Sequence, residues 1–224
     1  HIHPTCRLSL IFVVHPPGMK KLLFLALAMV VLNSCQAILF KVYGVKKPDI
    51  ENKVSILHYA ERIGLDTAGI VTVHSPYFLR ELGKGGIPDG AVYDQRGRYM
   101  EYRQSDTACN AGLFQFIPAL DTAKRYHQPD SPRLAEEWKK FRNLDGTNTP
   151  LPEKADFYLL LYWTRWTGRL NKDHVKVWED LARKNTQCRI QVIKVNLDLQ
   201  AYWDEAERKR IVTALEQSAK KKPE

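Results

Sequence analysis

The stretch YLLLYWTRWTGRLNKDHVKVWEDL, residues 158–181, decides the fold class. Its first residues belong to an apolar run, Phe157 to Trp163, that is typical of a buried strand with both faces covered. A turn containing Gly168 follows, and the apolar spacing beyond it predicts a helix from Asn171 to Lys184. A strand that enters a helix through a tight turn is the repeating unit of α/β folds.

The flanking sequence predicts more strands and helices in alternation. Residues 69–73 and 190–195 have the short β-prone runs of strands, while 76–82 and 204–219 have helical spacing. Another helix is expected to open at Asp49 as its N-cap, with Val54 on its apolar face and Gly64 at its end. A further helix is expected from about residue 107 to 120. Two further strands, 91–93 and 98–102, are joined by Asp94-Gln95-Arg96-Gly97, a hairpin signal. We therefore expect a mixed central sheet with helices on both faces and an antiparallel hairpin at its edge. One merged sheet is favoured over two separate units, because neither half alone buries much core.

The N-terminal region has the composition of an export signal. The first methionine is Met19, so residues 1–18 are interpreted as upstream translation. Residues 19–34 contain two lysines and an apolar run that is too short to cross a bilayer. The ending Leu-Asn-Ser-Cys resembles the lipobox of bacterial lipoproteins, which implies lipidation of Cys35. An ordinary cleaved signal followed by a chance cysteine is the alternative.

The remaining chain divides by composition. Residues 35–120 form a first α/β half. Residues 121–154 are rich in proline and polar turn residues, and we interpret them as a connector with one short helix. Residues 155–219 form a second β-α-β-α half, and 220–224 are a basic tail.

The formal net charge of the whole chain is +9, but acidic and basic residues are interspersed, as in DEAERKR. That pattern predicts solvated helix faces and argues against a nucleic-acid partner.

Few residues suggest chemistry. Beyond Cys35 the only cysteines are Cys109 and Cys188. They could form a structural disulfide, act as functional thiols or remain inert, and their spacing does not decide between these. The histidines lack the spacing of metal ligands. We expect no metal, no cofactor and no identifiable catalytic residue.

Two segments resemble the thioredoxin-like superfamily, particularly membrane-anchored thioredoxins of bacterial envelopes. LLLYWTRWTGRLNKD, followed by IQVIKVNLD, is similar to the family's strand, its Cys-Gly-x-Cys turn, its long helix and the next strand. GIPDGAVYDQRGRYMEY is similar to the family's Gly-x-Pro, strand, turn, strand signature. The resemblance implies a three-layer α/β/α sandwich in which Pro88 is a cis-proline preceded by Ile87. The segments occur in reversed order, which implies a rearranged or permuted strand order.

The chemistry departs from that family. Thr167 and Leu170 occupy the two cysteine positions, and neither can form the thiolate on which the exchange reaction depends. We therefore expect a redox-inactive protein with a degenerate active site, lipid-anchored in the cell envelope at the outer membrane and facing the periplasm. It would bind a protein or peptide partner; the candidate contacts are Ile87, Pro88, Trp166, Thr167, Gly168 and Arg169. The alternatives are an oxidoreductase that uses Cys109 and Cys188, and a structural component of an envelope assembly.

Overall fold

The computed structural model describes residues 41–103 and 110–220. A compact unit begins at Tyr43, and the fold given below belongs to that unit. The interpretations of residues 1–18 and 19–34, of Cys35 and Cys109, and of most of the basic tail concern parts of the chain outside the described residues.

A six-stranded mixed sheet forms the centre. In the order in which they lie side by side, its strands are β4 (Tyr99–Met100), β3 (Asp89–Asp94), β6 (Phe157–Trp163), β7 (Ile190–Asn196), β2 (Ile70–Val73) and β5 (Phe141–Arg142). A separate parallel pair consists of β1 (Ile50–Glu51) and β8 (Leu199–Gln200). Strands from both halves of the chain thus share one sheet, as expected.

The pairing places strand ends that are distant in sequence beside one another. Strands β6, β7 and β2 are parallel. Strand β3 is antiparallel to β6, with Asp89 opposite Tyr162. The hairpin of β3 and β4 lies at one edge, as predicted. The Ile87–Pro88 peptide bond is cis.

The helices pack on both faces, which is consistent with an α/β/α sandwich. They are α1 (Lys53–Ile63), α2 (Ser75–Leu82), α3 (Leu113–Phe116), α4 (Leu134–Trp138), α5 (Val177–Lys184) and α6 (Glu205–Lys220). Strand β6 shows the two-sided burial most clearly. Leu159, Leu161 and Trp163 pack with α1, α3 and α5. Tyr158 and Leu160 pack with α2, α4 and α6.

Three local expectations were wrong. Helix α1 begins after Asn52, whose side chain accepts a hydrogen bond from the Ser55 N–H in a capping box, and not after Asp49. Its buried residues are Ile56, Tyr59 and Ala60, while Val54, which was expected to face inward, is 75% exposed. In the segment predicted as a helix from residue 107 to 120, the described part contains only a 3₁₀ turn and the four-residue α3.

The connector contributes more than its predicted helix. After α4 it supplies β5, which pairs antiparallel with β2 through Thr72 and Arg142 and closes the sheet edge. The helix after β6 also differs in detail, because Asn171–Lys176 is π-helical before α5 continues it. In the part of the chain that the structure describes, no helix is long and apolar enough to cross a membrane.

Candidate functional site

Four chain segments meet at one edge of the sheet. Because β6, β7 and β2 are parallel, their carboxyl ends lie together, and antiparallel β3 begins there, directly after Pro88. The chain after β6 passes to α5 on one face, whereas the chain after β7 leads to α6 on the other. In open α/β sheets such a switch point is the usual location of a ligand site.

The turn that leaves β6 is held by hydrogen bonds within itself. Thr167 is only 2% exposed, and its single hydroxyl proton is shared between the Thr164 carbonyl oxygen at 2.8 Å and Asn171 Oδ1 at 3.0 Å. The Asn171 amide donates to the same Thr164 oxygen at 2.6 Å and to the Tyr59 hydroxyl at 3.0 Å. Thr167 and Asn171 therefore use their polar groups inside the protein.

An N-terminal segment covers this turn. The Arg169 N–H donates to the Tyr43 carbonyl oxygen at 2.7 Å, and the Lys46 N–H donates to the Trp166 carbonyl oxygen at 2.8 Å. Gly168 has φ of +60°, and a Cβ there would collide with the carbonyl oxygens of Tyr43 and Gly44. The backbone of residues 43–46 thus covers one side of the turn.

A buried polar network fills the switch point beneath the turn. The Arg165 N–H donates to both carboxylate oxygens of Asp198, at 2.8 and 3.1 Å, and the Asn196 amide donates to Asp198 at 2.7 Å. The Arg165 guanidinium forms an ion pair with Glu51 of β1, whose carboxylate also accepts the Ser55 hydroxyl at 2.6 Å. Strand β1 therefore covers the switch point, and its Glu51 carboxylate neutralises Arg165 there.

Asp198 has an unusual environment for an acid. It is 1% exposed. Burial raises the pKa of Asp198 to about 6, although hydrogen bonds from the Arg165 N–H and from Asn196 act against the shift. A carboxyl group that is hard to ionise is often catalytic, but Asp198 does not line the cavity described next. Its role in this structure is to hold the Arg165 backbone.

The open part of the edge lies beside Pro88. A cavity of about 1030 Å³ is bordered there by the segment from Lys84 to Ala91, and its other walls come from both faces of the sheet. Leu170 and His174 line it on the turn side; Glu81, Tyr93, Glu137 and Tyr162 line it on the other. The structure therefore brings together Ile87, Pro88 and Leu170, which is one of the two positions that hold cysteine in thioredoxins.

The backbone at Ile87 is available for pairing. Within the described part of the chain, neither its N–H nor its carbonyl oxygen forms a hydrogen bond. The neighbouring Pro88 carbonyl oxygen accepts from the Asn110 amide. Ile87 is half-buried and borders the cavity. An extended peptide that lies along this segment could donate to and accept from Ile87, as in the addition of a strand to a sheet edge.

The other predicted contact residues lie elsewhere. Trp166, Thr167, Gly168 and Arg169 do not line the cavity. Trp166 is half-buried, and Arg169 is exposed with an ion pair to Asp173 at 3.4 Å. The six candidates therefore divide into two places, Ile87 and Pro88 at the cavity and the remaining four at the covered turn.

Cys188 is remote from this edge. It precedes β7, whereas Pro88 lies near the carboxyl end of β6. The seven residues of β6 separate the two ends by about 20 Å. The Cys188 thiol donates to the Leu120 carbonyl oxygen at 3.4 Å. Burial raises its pKa, as do the charges of Asp156 and Asp121. These features disfavour a thiolate at Cys188. Cys109 lies outside the described residues, so the predicted disulfide stays a prediction.

Metal binding has no support in the described ranges, 41–103 and 110–220, where no group of three histidine, cysteine or acidic side chains could hold an ion. Comparison with known proteins gives no assignment either: no family model matches the chain, and no curated protein or solved structure matches it significantly.

Sequence reasoning missed the charged floor of the cavity. Glu81 lies three residues after the core residue Phe78 on α2, and Glu137 lies three after Leu134 on α4. Both glutamates therefore occupy positions of the apolar stripe, where a charged residue is rare unless it is paired. A glutamate at a core position on each of two helices was the signal that could have identified them.

Proposed function

We propose that this protein is an envelope-anchored, redox-inactive thioredoxin-like lipoprotein that binds an extended peptide segment of a partner in the cavity beside Pro88. The observation that carries this proposal is the backbone of Ile87, which borders a cavity of about 1030 Å³ and forms no hydrogen bond to any residue that the structure describes. Main-chain hydrogen bonds would give affinity, and the cavity would receive a side chain of the peptide.

The thioredoxin-like assignment is supported by the neighbours in the sheet. The two segments that resemble the family are β6 with its following turn, and the Pro88 segment with its hairpin. They lie side by side, because β3 pairs with β6 along its full length. We infer that the sheet is a rearranged thioredoxin sheet, in which the order along the chain has changed and the spatial neighbours have not.

At the turn after β6, composition excludes dithiol chemistry, because neither expected position holds a cysteine. Thr167 is buried and uses its hydroxyl inside the turn, and Leu170 offers the cavity an apolar side chain. Neither group can attack a disulfide at neutral pH. A peptide bound beside Pro88 would therefore be held without a mixed disulfide, so that binding would be governed by non-covalent contacts alone.

The binding proposal is tested by photocrosslinking in intact cells. A photoreactive amino acid at Ile87 should give adducts with a partner protein, because the residue borders the proposed groove. The matched control places the same amino acid at Val54, which is exposed on α1. Equal adducts from both positions, or none from Ile87, would overturn the proposal. Trp166→Ala and Arg169→Ala then show whether the covered turn contributes to capture.

The anchor is tested separately. We propose that Cys35 is lipidated and that the protein is held at the outer membrane facing the periplasm, on the resemblance of residues 32–35 to a lipobox. Wild type should incorporate a labelled fatty acid and sediment with membranes, whereas Cys35→Ser should do neither. Equal labelling of the two proteins would refute the assignment.

A further inference from the structure

The floor of the cavity contains two buried carboxylates that share two lysines. The side chains of Glu81 and Glu137 are 0% and 4% exposed. Lys140 Nζ lies 3.0 Å from Glu81 and 2.6 Å from Glu137. Lys84 Nζ lies 2.6 Å from Glu81 and 3.3 Å from Glu137. Neither Glu81 oxygen has a hydrogen bond of good geometry to a described residue, so the ammonium groups hold it mainly by charge.

The two lysines differ in how firmly they are held. Lys140 is 10% exposed, and its carbonyl oxygen accepts the His74 N–H at 2.7 Å next to β5. The Lys84 side chain is 47% exposed and follows the end of α2. Gly85 and Gly86 come next, and nothing lies within 4 Å of a Cβ built at Gly86. The Lys84 side chain can therefore leave without moving a helix or strand.

Aromatic rings complete the wall near these carboxylates. Tyr93, Tyr99 and Tyr162 line the same cavity, and the Tyr93 and Tyr99 rings lie 5.8 Å apart. Burial raises the pKa of Tyr93 and of Tyr162, and the negative charges of Glu137 and Glu81 add to both shifts. The hydroxyls stay protonated, so the neutral rings can attract a cation by their faces.

The charges of the lining favour a cationic ligand over an anionic one. Arg103 is already engaged by both oxygens of Asp89, at 2.7 and 2.8 Å. Glu101 accepts the Tyr99 hydroxyl and the Arg103 N–H, and it has no ion pair within the described ranges. Lys84 and Lys140 neutralise Glu81 and Glu137, so the carboxylate of Glu101 is the uncompensated charge of the described lining, and it repels an anion. A cation would find carboxylates, tyrosine faces and one displaceable ammonium group.

We propose that this cavity is a subsite for a basic side chain of the bound peptide, whose ammonium or guanidinium group replaces Lys84 between Glu81 and Glu137. This inference rests on the proposed binding function and adds the chemistry of the partner, a lysine or arginine next to the residue that pairs with Ile87. Lys84 then acts as an internal placeholder that keeps the two carboxylates neutralised when no partner is present.

The test uses n-butylammonium, which reproduces the end of a lysine side chain, with thermal unfolding as the readout. Lys84→Met removes the internal competitor, so its apparent Kd for n-butylammonium should be about tenfold lower than that of wild type, which corresponds to about 1.4 kcal/mol. The neutral analogue n-butanol, and sodium chloride at equal ionic strength, should not stabilise either protein. The double variant Lys84→Met/Glu137→Gln should lose the tighter binding of n-butylammonium that Lys84→Met shows.

Equal responses of wild type and Lys84→Met, or a response to n-butanol as large as to the cation, would overturn the subsite. If Lys84→Met does not fold, NMR titration of wild type decides. The Lys84 side-chain and Tyr93 ring signals should then shift with n-butylammonium, and unchanged signals overturn the proposal.

The outcome is independent of the crosslinking at Ile87. Adducts without cation binding would refute the subsite and leave the peptide groove intact. Cation binding without adducts would retain a cation site in the cavity and refute both the peptide groove and the assignment of that site to a peptide side chain.

Discussion

Two regions at the same edge of the sheet, the turn after β6 and the cavity beside Pro88, differ in how their polar groups are used. In the turn, Thr164, Thr167 and Asn171 bond to one another, and residues 43–46 cover the backbone. At the cavity, among the residues that the structure describes, the Ile87 backbone has no hydrogen-bond partner and Glu81 has no well-aligned hydrogen bond. The first region is satisfied internally, and the second is not.

This difference indicates that the turn after β6 has a structural role that needs no cysteine. The turn connects the central strand to a helix, and its hydrogen bonds join β6, α1 and the N-terminal segment. Such a connection is needed for stability whatever chemistry occurs nearby. The binding proposal instead concerns the second region, where the cavity beside Pro88 lies. The four predictions that follow test this contrast.

Gly168→Ala should have the largest effect, a loss of about 3 kcal/mol or more in the free energy of unfolding. The residue has φ of +60°, and its Cβ would meet the backbone of residues 43 and 44. Chemical denaturation measures the loss. The control is Gly86→Ala at the cavity, where the Cβ would meet nothing within 4 Å. Similar losses for the two variants would show that the turn is not the tightly packed region.

Asp198 should make stability depend on pH. Because its pKa is raised to about 6 in the folded protein, against about 3.9 unfolded, folding takes up a proton between these values. Its contribution is greatest below pH 4 and declines by up to about 3 kcal/mol as the pH rises to 7. Unfolding free energies of wild type minus those of Asp198→Asn should show this decline.

The control for this pH series is Asp130→Asn, which replaces an exposed carboxyl group of the connector. Its difference from wild type should be flat over the same range. A flat difference for Asp198→Asn would mean that the buried network does not hold the protonated form.

Asn171→Ala should cost about 2 kcal/mol, because it removes three hydrogen bonds inside the turn and leaves the Tyr59 hydroxyl and the Thr164 carbonyl with fewer partners. Thr167→Val removes the hydroxyl of the same network. In a double-mutant cycle the two losses should not be additive, since the side chains bond to each other. Additive losses would indicate that the network is not formed in solution.

Arg169→Ala should have the smallest effect, below about 0.5 kcal/mol. Its ion pair with Asp173 spans 3.4 Å, and the arginine side chain is 66% exposed. Thermal unfolding in low and high salt checks the value. A loss above about 1 kcal/mol in the free energy of unfolding would show that Arg169 stabilises the turn. Arg169 would then no longer differ from Gly168 in its importance for stability.

The sequence predicted the central elements well, because their signals are local. Phe157 to Trp163 forms a strand with the predicted boundaries, and Gly64 ends α1 in a left-handed conformation. The errors lie where a hydrogen bond or a strand pairing, which apolar spacing does not reveal, set the start of a helix or formed a strand. Asn52 and Ser55 form a capping box that outcompeted Asp49, and β5 became a strand only through its pairing with β2.

The candidate site was predicted in part. Ile87 and Pro88 were identified through a resemblance, and the structure places them at a cavity. The covering of the turn was not predictable, because residues 43–46 reach it from more than 100 positions away in the chain. Glu81 and Glu137 were overlooked, because a glutamate on a short helix is usually solvated.

By itself, the sequence determined the α/β class, the hairpin beside Pro88 and the lack of cysteines at the turn, since each depends on neighbouring residues or on composition. Only the tertiary structure decided which part of the edge is closed and which is open. That choice depends on the approach of β1, of residues 43–46 and of α2 and α4 to the strand ends. Contacts between segments so far apart in the chain leave no periodic signal in it.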